Sequence, residues 1–147
     1  MIFSKACEYG IRSALYVANR NSDEYVPIRE IGADLGISHH FLTKVLQVLT
    51  RASIMRSLRG PNGGVALSGD ADSIYLYDTV SAIDGRDHFD TCVLGLPSCH
   101  DLHPCPLHGY WGTLRDDVKT KFQNISLKAL SHRIEVEGLR ISSQIGT

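Results

Sequence analysis

Two apolar stripes of helical period, hinged at Gly36, leave this chain few folds to choose from. Ile28, Ile31 and Leu35 form the first stripe, and Phe41, Leu42, Val45, Leu46 and Leu49 form the second. Pro27 suits the first position of the earlier helix, Gly36 ends it, and Ser38 caps the next. Helix, short glycine turn and second helix make a helix-turn-helix. The outer face of the second helix carries His39, His40, Thr43, Lys44 and Gln47, side chains able to meet base edges or phosphates. Residues 54–58 then form an expected strand, Arg59-Gly60-Pro61-Asn62-Gly63-Gly64 a turn, and residues 65–67 a returning strand. A hairpin in this place is a wing. An arginine at its tip can enter a minor groove, where the negative potential is strongest.

Charge distribution agrees with this reading. The net charge of −1 over 147 residues hides an asymmetry. Residues 1–60 carry eight Lys/Arg against five Asp/Glu, and residues 61–147 carry seven against eleven. No carboxylate occurs between Asp34 and Asp70, a stretch that holds Lys44, Arg51, Arg56 and Arg59. A surface facing phosphates requires such a gap, since each carboxylate there would repel the nucleic acid backbone.

The remaining segments complete a mainly α fold. Residues 4–19 form an expected helix, with Ser4 as N-cap and Ala6, Tyr9, Gly10, Ser13, Ala14 and Val17 on its inner face. Glu8 on this helix is expected as a surface charge, paired with Arg12 one turn on. A short helix is expected around Asp78 to Ile83, closed by Gly85. Residues 86–104 lack any period and read as a long irregular loop. Pro106 starts a long helix whose Leu107, Trp111, Leu114, Val118, Phe122 and Ile125 make a near-heptad seam. Pairing of two such seams across a two-fold axis is favoured over packing on the chain's own core. Ser126 caps a last helix to about Glu137, and 138–147 is expected to fray. The expected architecture is a winged helix-turn-helix with a two-stranded β wing and a long C-terminal dimerisation helix. Its divisions are a DNA-binding domain (1–85), a cysteine-rich loop (86–105), dimerisation helices (106–137) and a tail (138–147).

The loop carries the chemistry. Its spacing is Cys92-x6-Cys99-x5-Cys105-x2-His108, with His100 and His103 as further donors. Nothing in the first twenty residues resembles a signal peptide, and no apolar run spans a bilayer, so a cytoplasmic location is expected. Thiols stay reduced there, and clustered cysteines point to metal binding or redox sensing rather than disulfides. The spacing fits neither zinc knuckles nor ferredoxin motifs. Three thiolates and an imidazole satisfy tetrahedral zinc as well as a two-iron cluster. Cys7 stands apart and is expected to be simply buried. No nucleophile elbow, phosphate-cradling loop or HExxH helix occurs, which argues against an enzyme.

From about residue 2 to residue 135 the chain resembles the bacterial winged-helix regulators of the IscR, NsrR and RirA type. The resemblance rests on "SKACEYGIRSALYVA", on "IREIGADLGISHHFLTKVLQVLTRASIMRSLRGPNGGVAL" with its Arg-Gly-x-x-Gly-Gly tip, and on "VSAIDG", "CPLHGYW" and "NISLKAL". It implies a homodimeric transcription factor that binds near-palindromic double-stranded DNA and holds an iron–sulfur cluster. By position Cys92, Cys99 and Cys105 are the thiolate ligands. The fourth ligand is His108 in the IscR pattern, or Glu8 of the partner subunit in the NsrR pattern. A 2Fe–2S cluster is favoured and 4Fe–4S stays open. The resemblance places Arg59 in the minor groove and Ser38, His40 and Thr43 at the major groove; the polar helix face and the basic charge add His39, Lys44, Arg51 and Arg56 as expected DNA contacts. The six-residue first gap is one longer than in IscR. Thr43 replaces an acidic residue of that type, so the operator is not inherited with the fold. A zinc- or thiol-redox-responsive winged-helix protein is the alternative.

Overall fold

The computed structural model describes residues 2–20, 24–99 and 101–142. Helix α1 spans Lys5–Ala18, and the Ser4 hydroxyl caps it by accepting from the Cys7 N–H at 3.0 Å. Ser4 is itself anchored, because its N–H donates to Asp84 at 3.0 Å and its hydroxyl also meets that carboxylate. Helix α2 spans Ile28–Leu35 and α3 His39–Arg51. Gly36 closes α2 in the left-handed region at φ 69°, a conformation glycine adopts without a Cβ penalty. Ser38 caps α3 through the Phe41 N–H at 3.3 Å. Pro27 precedes the first turn of α2 rather than sitting in it.

Both stripes bury as expected, except that Ile28 is half-buried and Phe41 exposed. Ile31, Leu35, Leu42, Leu46 and Leu49 are inaccessible, together with Met55, Val65 and Leu127. Phe41 is 38% exposed and packs edge-on against Tyr9 with ring centroids 5.3 Å apart. Strands β1 (Met55–Leu58) and β2 (Gly64–Leu67) pair antiparallel, with Met55 opposite Leu67 and Leu58 opposite Gly64. Two hydrogen bonds between Val26 and Val65, at 2.8 and 2.9 Å, tie the hairpin to the residue before Pro27. That approach demands glycine at 64, where an added Cβ would lie 2.1 Å from the Val26 carbonyl oxygen.

Helix α4 spans Leu76–Asp84, wider than expected, and a 3-10 turn follows at Arg86–Asp90 inside the stretch expected to be irregular. The turn exists to seat Phe89, which is buried with Cys7 and Val80 in a second small core. Gly10 of α1 lies against Ile83 of α4; an added Cβ would meet Ile83 Cδ1 at 2.2 Å and Val45 Cγ1 of α3 at 3.4 Å. Three helices therefore meet at one glycine.

Helix α5 runs His108–Asn124, beginning two residues after Pro106, and α6 runs Leu127–Glu137 with Ser126 as its cap. These two helices differ in kind. No residue of α5 is buried. By contrast α6 belongs to the main core, where Leu127 is inaccessible and the Ile74 carbonyl accepts its N–H at 2.8 Å. Within residues 106–137, α6 joins the main core, whereas α5 packs through part of its surface on the smaller one. The α5 seam is divided too. Val118 and Phe122 pack on the Phe89 core, whereas Leu107 and Leu114 are 41% and 60% exposed. Residues 143–147 of the expected frayed tail lie outside the described residues. Of the remainder, Ile141 packs on the core and its carbonyl accepts from Arg12 Nε at 2.6 Å. Arg12 Nη2 reaches the Leu35 carbonyl at 2.6 Å, which leaves Glu8 to pair with Lys5 at 3.2 Å instead of Arg12. Among the described residues no helix is long and apolar enough to cross a membrane.

Candidate nucleic-acid interface and cysteine site

Between α3 and the wing lies an open concavity of about 740 Å³. His39, Thr43, Gln47 and Arg51 line it from α3, Leu58 to Gly60 line it from the wing, and Arg29 lines it from the first turn of α2. The helix presents its polar face because its apolar face is spent on the core. Thr43 Oγ1 donates to the His39 carbonyl at 2.7 Å, which fixes the side chain on the helix surface. His40 and Lys44 are exposed beside this concavity without lining it. Ser38 is exposed, with its hydroxyl engaged as the cap. Arg56 points elsewhere, its guanidinium 5.4 Å from the Tyr25 ring centroid, and it lines a separate groove with Arg20, Asp70 and Lys128.

In the loop the donors form two pairs. Cys92 Sγ lies 3.7 Å from Cys105 Sγ, and Cys99 Sγ lies 3.4 Å from His108 Nδ1. His108 Nε2 meets Asp101 Oδ1 at 2.7 Å, an outer partner that orients the ring and leaves Nδ1 facing the thiol. His100 lies outside the described residues. The Leu94 N–H donates to Cys92 Sγ at 3.4 Å. That amide, with those of Leu96 and Gly95 and the Cys105 thiol, holds the Cys92 thiol below its ordinary range against the opposing effect of burial. Cys7 shows the reverse. Burial first, then the Asp84 and Glu8 carboxylates, push its thiol up to about 12. Cys7 is therefore an inert core residue.

Beside Cys92 is a cavity of about 630 Å³, lined also by Phe89, Thr91, Trp111, Leu114, Arg115 and Val118. Trp111 Nε1 donates to the Thr91 carbonyl at 2.9 Å and pins α5 to the loop. Among the described residues no three of the His, Cys, Asp and Glu side chains converge as they would on a single ion. Three thiols, an imidazole with an outer carboxylate and amides aimed at sulfur nevertheless fit the donor chemistry of an iron–sulfur cluster.

Residues 3–133 match the Rrf2 family, described as an iron-dependent transcriptional regulator. The chain belongs to the Rrf2 family. IscR of Escherichia coli is 31% identical over 128 residues, covering 87% of this chain and 78% of that protein. IscR of Xenorhabdus nematophila is 30% identical over 128 residues, covering 87% and 77%. Among solved structures, IscR of T. potens superposes with a TM-score of 0.74 at 18% identity, covering 93% of this chain and 90% of that one. CymR, the global cysteine regulator of B. subtilis, gives 0.73 at 22% identity, covering 88% and 95%. At these identities the structures show the fold alone, and the fold is the Rrf2 winged helix. The Rrf2 family and these relatives are DNA-binding transcriptional regulators, not enzymes.

Sequence reasoning missed Arg29, Asp101 and Arg115. Arg29 follows the expected α2 start and has no partner in sequence that hints at the concavity. Asp101 and Arg115 become visible only when loop and α5 are brought together, since neither sits at a ligand spacing.

Proposed function

We propose that this Rrf2 protein is a homodimeric regulator whose grip on DNA depends on an iron–sulfur cluster held by Cys92, Cys99, Cys105 and His108. The observation that carries this reading is the arrangement of four donors as two pairs, Cys92 with Cys105 and Cys99 with His108. A two-iron cluster takes two protein ligands per iron, which favours 2Fe–2S over 4Fe–4S. Glu8, engaged by Lys5 on α1, is the alternative fourth ligand from a second copy. When bound, the cluster supplies a redox- and nitric-oxide-sensitive centre that can be lost. The remaining steps belong to the protein. The loop hangs from Phe89, which stacks on Tyr77 and packs edge-on against Phe122 and Phe3. Phe89 shares its core with Cys7 of α1 and Val80 of α4. Helices α1 and α4 in turn meet Val45 of α3 at Gly10. Ordering the loop therefore biases the helices that support the reading head.

On DNA, two α3 helices would enter successive major grooves about one helical turn apart on a near-palindrome. Thr43, His39 and His40 would meet base edges, Ser38, Lys44 and Arg51 phosphates, and Arg59 the minor groove. The exposed Leu107, just before α5, and Tyr110 and Leu114 of α5 supply the apolar face for the second subunit. A second reading, thiol redox control without a cluster, is favoured by the closeness of Cys92 and Cys105 and by the lowered Cys92 thiol. Iron and acid-labile sulfide counts on anaerobically isolated protein decide. Two of each per chain support the cluster, stoichiometric zinc overturns it, and metal-free protein leaves the thiol reading standing.

A further inference from the structure

Arg115 sits two helical turns after His108 on α5 and lines the same cavity as Cys92. Its side chain is only 12% exposed. Asp116 engages the outer part of the guanidinium, accepting from Nε at 3.1 Å and meeting Nη2 at 3.1 Å. Nη1 is buried and has no hydrogen-bond partner among the described residues. Against the opposing effect of burial, Asp116 first, and then the Cys99 side chain, favour the charged guanidinium. A buried guanidinium N–H without an acceptor is costly, and a surface arginine would simply turn outward to water. Asp116 holds this one in place instead. The unpaired donor therefore waits for an acceptor that enters the cysteine site.

We propose that Arg115 is a positioning residue of the cysteine site, presenting a fixed positive charge and the Nη1 donor to the sulfur atoms of the bound cluster. This inference rests on the cluster reading above. One-electron reduction makes the ligated cluster more negative by one charge. A nearby cation and an N–H donor to sulfur stabilise the reduced state more than the oxidised one, so Arg115 raises the reduction potential.

The test uses anaerobically reconstituted full-length protein and the variants Arg115→Gln and Arg115→Lys, read by redox titration of the visible spectrum and by melting of the apo form. For Arg115→Gln the reduction equilibrium should fall roughly tenfold, a downward shift of about 59 mV for one electron. Arg115→Lys, which keeps the charge but not the fork, should fall between. If Arg115→Gln loses its colour while its apo melting temperature is unchanged and Arg115→Lys keeps colour, the proposal is also supported. Coloured variants with the wild-type potential overturn the role of Arg115 alone. A colourless wild type, after reconstitution, overturns the cluster reading and this inference with it.

Discussion

Cys92 and Cys105 bring their sulfurs to 3.7 Å across thirteen residues of loop. Thiols that close need little movement to join, and the lowered Cys92 thiol holds more of its sulfur as the nucleophilic thiolate. Apo protein treated with a diamide-type oxidant should form the Cys92–Cys105 disulfide, the oxidant taking up the two electrons and two protons. Peptide mapping should find Cys7 still free. A dominant link through Cys99 would show that the pairing is not as described.

The concavity between α3 and the wing predicts a division of labour among its arginines. Arg29→Ala and Arg51→Ala should weaken binding evenly across DNA sequences and lower the salt slope by about 1 each. Arg59→Ala should cost about 1–3 kcal/mol on preferred sites and relax preference for a narrow minor groove. Arg56→Ala, with its side chain over Tyr25 and away from the concavity, should bind as wild type does. Fluorescence anisotropy across a salt series separates these outcomes. A salt slope unchanged by Arg29→Ala would remove α2 from the interface.

Helix α3 shows why much of this fold was legible from residues alone. Its cap, its apolar stripe and the glycine before it are local signals, and burial of the stripe follows from them. Phe41 escaped that logic because it sits at the edge of the stripe, where Tyr9 of another helix supplies its contact. The fate of the α5 seam was harder. The same period serves a partner helix or the chain's own core, and Phe89, arriving from a 3-10 turn, claims Val118 and Phe122. Candidate cysteine ligands were visible by composition, whereas Asp101 and Arg115 depend on how the loop folds back on α5. The side-chain direction of Arg56 was not legible for a similar reason: on a strand, neighbouring residues point to opposite faces, and charge alone does not tell which.

Burial of Cys7 predicts an alkaline weakness. The unfolded chain gives up this thiol proton near the ordinary 9.0, while the folded protein keeps it to about 12. Between those values the unfolded state binds fewer protons, so stability falls as pH rises. The melting temperature of wild-type protein should drop more steeply from pH 8 to 10.5 than that of Cys7→Ala, whose absolute stability is lower. Parallel curves would show that the thiol titrates alike in both states.

Phe89 is the joint between loop and head in this account. Phe89→Leu should cost about 1–2 kcal/mol of stability, since it removes ring contacts with Phe3, Tyr77 and Phe122. It should keep the cluster yet narrow the difference in DNA affinity between holo and apo protein. An undiminished difference, measured by anisotropy on the same operator, would show that the loop acts on the head by another route.

The most direct measurement is a titration of one operator fragment with holo protein and with the same sample after its cluster has been removed anaerobically. The two affinities should differ at least tenfold, about 1.4 kcal/mol, and Cys92→Ala should behave as the apo form under both treatments. Equal affinities for the coloured and the bleached samples would contradict control of DNA binding by the cysteine site.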